Sequence, residues 1–367
     1  MTAKKIRLDR GVGRAYLKSM RRAAAANGEP KSIVLVGIDG SRGSERAFRV
    51  GLKIAQKRSL TLRLVGIFPR PVMMDSSYVA LMNQYLDTAV NEILAMLKGY
   101  AAQAEESGVP VTTRAFVGEP GGALVEESKS ARVAVVGKRG RNRFAGRFLG
   151  SVSAHLAAHS HCPTLVVPEE RGIDSSTEPR APEQELAHGD DAADEPLSLI
   201  EESKPRAHQR RLFANVSDPL NFDSEVVVGL DVGTEADEML QVAGQAAQLV
   251  DRPLALVSAS PLNAAGHWGP NPVEHNIEIP NLRRPYIEHL QGAADHLSGQ
   301  FPDLTVRWQF FDGTPAGVLS EASRTAELII IGTRGHGGFP GLLLGSVSQA
   351  VLNRAVCPVL VVPTAKS

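Results

Sequence analysis

Val133-Ala-Val-Val-Gly137-x2-Gly140-x9-Gly150-Ser151 returns 195 residues later as Leu328-Ile-Ile-Ile-Gly332-x2-Gly335-x9-Gly345-Ser346. A short apolar run that ends in glycine reads as a buried strand, and the glycines after it let backbone amides come close to a bound anion. The repetition makes the chain a tandem duplication, and the loop chemistry points to a ligand of the nucleotide type.

The offset of 195 holds without a gap from Gly118/Gly313 through Cys162/Cys357 and Pro163/Pro358. Upstream, Gly37-Ile-Asp39 matches Gly229-Leu-Asp231 at an offset of 192. The second copy has therefore gained three residues between its first strand and its glycine loop, and the region from Pro261 to Pro285 is the expected place.

Each copy opens with a β-branched run, Ile33-Val-Leu-Val36 or Val226-Val-Val228, of the kind that forms a parallel strand buried on both faces. A helical stretch follows (44–57 and 235–250), then a second strand (62–68 and 254–259), a long loop and another helix. A third strand ends in Gly118-Glu-Pro or Gly313-Thr-Pro. A helix, a fourth strand, the glycine loop, a helix and a last strand (164–167 and 359–362) complete the unit. The alternation predicts an α/β chain of two doubly wound, five-stranded parallel-sheet domains of Rossmann-like type. The expected organisation is a basic arm (1–30), domain one (31–168), an acidic disordered linker (169–222) and domain two (223–364).

Lys plus Arg (40) equals Asp plus Glu (40), so bulk charge gives no reason to propose a duplex-nucleic-acid or membrane-coating protein. The balance is local cancellation. Basic residues from Lys4 to Arg22 stand against Asp9 and Glu29, whereas acidic residues dominate from Glu169 to Glu202. Treated as a flexible chain, a linker of roughly 55 residues reaches on the order of 40 Å, enough to join the domains in almost any orientation. Arg14, Lys18, Arg21 and Arg22 fall on one helical face of the arm, which reads as a solvated helix, a dock for an anionic surface or a contact for the acidic linker. The two cysteines, Cys162 and Cys357, occupy equivalent places, which does not suggest a disulfide framework. No apolar stretch approaches the ~20 residues of a membrane span, and a cytoplasmic location is the expectation.

In a doubly wound sheet the ligand lies outside the carboxyl ends of the strands, where the connections part to opposite faces. That rule brings Asp39 to Gly137 and Asp231 to Gly332, with Gly150-Ser151 or Gly345-Ser346 opening the next helix and its free amides suiting phosphate oxygens. Gly332-Thr-Arg-Gly-His-Gly-Gly-Phe-Pro-Gly-Leu-Leu-Leu-Gly-Ser-Val-Ser348, followed by Cys357-Pro-Val-Leu-Val-Val, resembles the ATP-binding branch of the universal stress proteins nearly residue for residue. The resemblance covers both domains and neither the arm nor the linker. It implies adenine and ribose recognition near Asp39 or Asp231 and at the strand backbone of Val65 or Val257. Phosphates would be held by Gly137, Gly140, Gly150, Ser151 and Ser153, or by Gly332, Gly335, Gly345, Ser346 and Ser348, with room for Mg²⁺. It also implies pairing of the last strands, 164–167 and 359–362, as a pseudo-dimer within one chain, and it leaves a homodimer open.

The copies differ where the ligand would sit. The first replaces the flexible Gly-Gly pair with Asn142-Arg143 and adds Arg141 and Arg147, which makes its loop stiffer and more basic. The second reads Asp231-Val-Gly-Thr-Glu-Ala236 where the first has Asp39-Gly-Ser-Arg-Gly-Ser44, and so lacks the Gly-Ser turn and the later serine. His155, His159, His161 and Cys162 invite a metal reading, but their counterparts are Ala350, Arg354, Val356 and Cys357, so only the cysteine recurs and no metal is expected. His267 and Trp268 lie in a loop over the second pocket, where they read as surface packing or a lid. No Gly-x4-Gly-Lys-[Ser/Thr], His-Glu-x-x-His or Gly-x-Ser-x-Gly element is present, so catalysis is not expected beyond slow ATP hydrolysis. Two classes of function stand: a nucleotide-sensing binding protein, and an assembly module with vestigial pockets.

Overall fold

Along each apolar run the side chains alternate between two cores. Val34 and Val36 enter one cluster and Leu35 the other, and Val226 and Val228 divide from Val227 in the same way. Such strands must be covered on both faces. The computed structural model, which describes residues 32–69, 79–140, 149–168, 220–232, 236–262, 279–333 and 344–364, meets that demand with helices on both sides of one sheet.

The first repeat runs β1 (Ile33–Gly37), α1 (Arg42–Arg58), β2 (Thr61–Pro69), α2 (Val79–Glu106), β3 (Val111–Gly118), α3 (Pro120–Ser128), β4 (Val133–Gly137), α4 (Ser151–His159) and β5 (Thr164–Val167). The second runs β6 (Val226–Gly229), α5 (Asp237–Val250), β7 (Leu254–Ser260), α6 (Ile279–Gln300), β8 (Val306–Asp312), α7 (Pro315–Ala322), β9 (Leu328–Gly332), α8 (Ser346–Arg354) and β10 (Val359–Val362). The expected α/β class and parallel strands are observed. Register also locates the three-residue gain. Leu62 pairs with Val111, and its counterpart Leu254 pairs with Val306, so the offset changes from 192 to 195 between β7 and β8.

Short chemical signals set the helix ends. At both Gly-x-Pro steps an acceptor side chain caps the helix that proline opens: Glu119 accepts from the Gly121 amide at 2.8 Å, and Thr314 from the Gly317 amide at 3.3 Å. α1 and α5 both stop at a left-handed residue, Ser59 and its counterpart Asp251. Glu127, with a side chain only 1% exposed, ties α3 to the sheet through Arg63 of β2 at 3.1 Å and Arg114 of β3 at 2.8 Å.

Strand order is β3-β2-β1-β4-β5-β10-β9-β6-β7-β8. All neighbours are parallel except β5 and β10, which pair antiparallel with Leu165 opposite Leu360, its own counterpart. The pseudo-dimer expected of the last strands is thus present. The two cores run through it: one joins α1 and α2 to α5 and α6, the other α3 and α4 to α7 and α8. Leu220 and Phe222, which the sequence reading leaves in the linker, belong to the second repeat. Phe222 is 1% exposed, packs edge-on against Phe311 and lies under the Arg307 guanidinium. The basic arm, the linker as far as residue 219, and His267 and Trp268 lie outside the described residues.

Among the described residues, the seam contains one buried polar atom without a partner, Thr164 Oγ1, on a residue fully shielded from solvent. Val359 fills the equivalent place in the second repeat. An orphaned hydroxyl carries a desolvation cost that an isosteric methyl avoids. Thr164→Val is therefore expected to raise unfolding free energy by about 1 kcal/mol, read as a rise in urea midpoint at unchanged slope.

Candidate functional site

β1 and β4 are neighbours, yet the chain leaves them toward opposite faces, so a crevice opens at their carboxyl ends. Asp39 stands there, half-buried, with its Oδ1 accepting from the Ser41 amide at 3.0 Å. Ser41 in turn caps α1 by accepting from the Ser44 amide at 3.1 Å, and Ser44 Oγ donates to the Ser41 carbonyl. The Asp-Gly-Ser-Arg-Gly-Ser stretch is a self-bonded turn that holds the carboxylate in one place.

The glycine loop closes on this turn. A Cβ on Gly140 would lie 2.5 Å from Asp39 Oδ2, so carboxylate and loop backbone are in direct contact. A Cβ on Gly137 would lie 2.5 to 2.9 Å from the backbone of Gly43, and one on Gly43 would strike the Arg139 carbonyl. The two glycines sit back to back because any side chain would push α1 off the loop.

At its base the loop is pinched by the Gly150 amide donating to the Lys138 carbonyl at 2.9 Å. The second repeat does the same with Gly345 and Thr333 at 2.7 Å. Gly150 and Gly345 then open α4 and α8 as N-caps without a side-chain acceptor. The amides of Ser151 and Val152, or of Ser346 and Val347, precede the first intrahelical bond and point outward with the positive end of the helix dipole. Ser151 and Ser346 are exposed at these starts. Ser153 and Ser348 are buried, and their hydroxyls turn inward: Ser153 Oγ donates to the Lys138 carbonyl at 3.0 Å, and Ser348 Oγ to the Gly332 carbonyl at 2.7 Å. They brace the strand end against the helix. The Val65 and Val257 carbonyls accept from the Ile38 and Leu230 amides, both at 2.8 Å, which aligns the floor of each crevice.

Asp39, Val65, Gly137, Gly140, Gly150, Ser151 and Ser153 are thus brought together at one sheet end. Asp231, Val257, Gly332, Gly345, Ser346 and Ser348 occupy equivalent places in the second repeat; Gly335 lies outside the described residues, as do Arg141, Asn142, Arg143 and Arg147. The crevices are unequal. Asp231 is exposed, and α5 begins at Asp237 with an Ala236 cap that makes no side-chain bond; Glu235, the sequence counterpart of Gly43, lies outside the described residues. Gly233 and Ala236 stand at the positions of Ser41 and Ser44, so the second copy has no hydroxyls for the Ser41 cap and the Ser44 bond of the first.

Sequence reasoning missed the contribution of the other repeat. Lys138 Nζ donates to the Asn353 and Ala355 carbonyls, both at 2.9 Å, at the end of α8, and Asn353 Oδ1 accepts from the Leu149 amide at 2.9 Å. The only sequence signal is inequality between copies, Lys138 against Thr333 and Ala158 against Asn353. Burial at the seam, reinforced by the Arg139 cation, lowers the Lys138 ammonium to about 8. Burial pushes the nearby Cys357 thiol up to about 12, leaving it protonated and inert at neutral pH. His155 and His159 stack face to face at 4.3 Å, and no group of metal-ligating side chains occurs among the described residues. No described helix is long and apolar enough to cross a membrane.

Comparison with known proteins agrees with this architecture. The model of the universal stress protein family matches residues 32–168 and 224–363. The universal stress protein Rv1996 of Mycobacterium tuberculosis is 27% identical over 348 residues, covering 89% of this chain and 94% of the relative. The crystal structure of a universal stress protein from Archaeoglobus fulgidus superposes with a TM-score of 0.54 at 18% identity, covering 92% of this chain and 97% of that one. A universal stress protein solved in complex with cAMP overlays 37% of this chain and 96% of its own, at 30% identity and a TM-score of 0.30.

Gly137→Ala is expected to cost roughly 1–3 kcal/mol of stability, because the obstructing atoms are backbone that cannot rotate away; chemical denaturation reads it. Lys138 gives a pH signature. With a folded value of about 8 against 10.5 for the free side chain, the unfolded chain binds more protons between those limits, so its contribution makes stability rise with pH there. Lys138→Met is expected to remove that rise, seen by comparing urea midpoints at pH values on either side of the folded value.

Proposed function

The chain belongs to the universal stress protein family, and on that premise we propose that it is a nucleotide-binding regulatory protein that takes ATP, alone or with Mg²⁺, in the crevice of repeat one. The observation that carries the reading is the contact between the Asp39 carboxylate and the Gly140 backbone. It joins an acceptor suited to ribose hydroxyls to a loop whose next helix opens with uncapped amides suited to phosphate. Asp39, the Val65 backbone, Gly137, Gly140, Gly150 and Ser151 contact ligand in this reading, and Ser153 braces the loop. Asp231, Val257, Gly332, Gly335, Gly345 and Ser346 form a second, weaker site braced by Ser348, since Gly233 and Ala236 offer no hydroxyls in place of those of Ser41 and Ser44.

The protein acts as a binding module. In this reading ATP is held as a signal, with at most slow hydrolysis. A cytoplasmic location belongs to the same reading. The signal passes through the shared sheet, because both crevices lie on strands of one ten-stranded layer.

Isothermal titration with ATP tests the proposal. The unmodified protein is expected to bind, and Asp39→Ala to weaken the tighter site by about tenfold, the size of one lost hydrogen bond to a charged group. Asp231→Ala is expected to act on the weaker site alone, with no free phosphate released during the titration. Absence of heat with ATP, AMP and adenosine would return the chain to the assembly class, and multiple-turnover phosphate release would make it an ATPase.

A further inference from the structure

The glycine loop of repeat one has two feet, Lys138 after Gly137 and Leu149 before Gly150, and both rest on one residue of the other repeat. The Asn353 carbonyl accepts from Lys138 Nζ, and the Asn353 side chain accepts from the Leu149 amide. The lysine reaches the Ala355 carbonyl as well, so its cation lies against the carbonyl end of α8, where the helix dipole favours positive charge. Antiparallel pairing of β5 with β10 makes this possible, since it sets the end of α8 beside the mouth of repeat one.

Repeat two has no equivalent clasp in its sequence. Thr333 stands in place of Lys138 and bonds within its own repeat, to Thr364, while Ala158 stands in place of Asn353 and offers no side-chain acceptor. Among the described residues, the duplication has therefore produced one loop whose feet are held by the other repeat and one whose feet are not.

We propose that Asn353 and Lys138 are positioning residues for the phosphate end of the repeat-one site, so that repeat two assembles the site in trans and makes the two sites unequal. The inference rests on the nucleotide reading given above. Fixing both feet restricts the span of the loop before ligand arrives, which lowers the ordering cost of binding. By linkage, a ligand that tightens the loop must tighten the seam to the same degree. Neither residue contacts adenine or ribose in this arrangement, so the effect is confined to the phosphates.

The test is the ratio of ATP to adenosine affinity in the full chain carrying Asp231→Ala, which leaves repeat one as the binding site. Asn353→Ala and, separately, Lys138→Thr are expected to lose about tenfold in ATP affinity, the equivalent of one hydrogen bond, with adenosine affinity unchanged. Arg58→Ala serves as the seam control. It removes a bond to the Gln245 carbonyl at 2.6 Å, at the amino ends of the repeat-one strands and away from the loop, and is expected to change neither affinity. Undiminished ATP binding in both clasp variants, an equal loss of ATP and adenosine, or an equal loss in Arg58→Ala would each overturn the inference. A parent protein that binds neither ligand fails at the nucleotide reading itself, and the inference falls with it.

Discussion

The antiparallel ladder between β5 and β10 is the constraint on which the rest of the molecule depends. It is the one place in a ten-stranded sheet where direction reverses, and Leu165 faces its own counterpart Leu360 there. Each repeat alone would expose its last strand as an unpaired edge; joined, they leave only β3 and β8 at the margins. The ladder also lets apolar cores pass from one repeat into the other on both faces of the sheet. Because strands of the two repeats run in opposite senses across it, the carboxyl end of one sheet half lies beside the amino end of the other. Helix ends of repeat two therefore come to the mouth of repeat one.

Upon this near-symmetric frame the side chains are unequal. Repeat one supplies the cations at the seam and repeat two the carbonyls: Lys57 to Leu249, Arg58 to Gln245, Lys138 to Asn353 and Ala355. Two copies of repeat one would set cation against cation, so these contacts favour pairing of unlike halves. The same divergence shapes the crevices. The Ser41 and Ser44 hydroxyls bond the turn that presents Asp39, whereas Gly233 and Ala236 at the matching positions have no hydroxyl for those bonds.

Most of the architecture was legible because it is written in local pattern. Ile33-Val-Leu-Val36 and Leu328-Ile-Ile-Ile331 declare strands buried on both faces, and the glycine spacing declares where the chain must approach itself. The Gly-x-Pro steps fix the starts of α3 and α7. What escaped the sequence is contact between residues far apart in the chain. Phe222 lies in a polar segment with no periodic apolar pattern, and only its packing on Phe311 and beneath Arg307 reveals it as core. Ser153 and Ser348 fit a phosphate-binding pattern, yet their buried hydroxyls turn toward backbone carbonyls, a direction no spacing encodes. The Asn353 clasp spans 204 residues and leaves no periodic trace.

The central claim is that an adenine nucleotide seats where Asp39, the glycine loop and the start of α4 converge, on a foundation laid by α8. Amide hydrogen exchange resolved by residue, with and without saturating ATP, addresses it most directly. The account predicts slowed exchange at Gly140, Leu149, Ser151 and Val152, extending across the seam to the end of α8. Protection confined to other regions, with these amides exchanging as in the free protein, would contradict it.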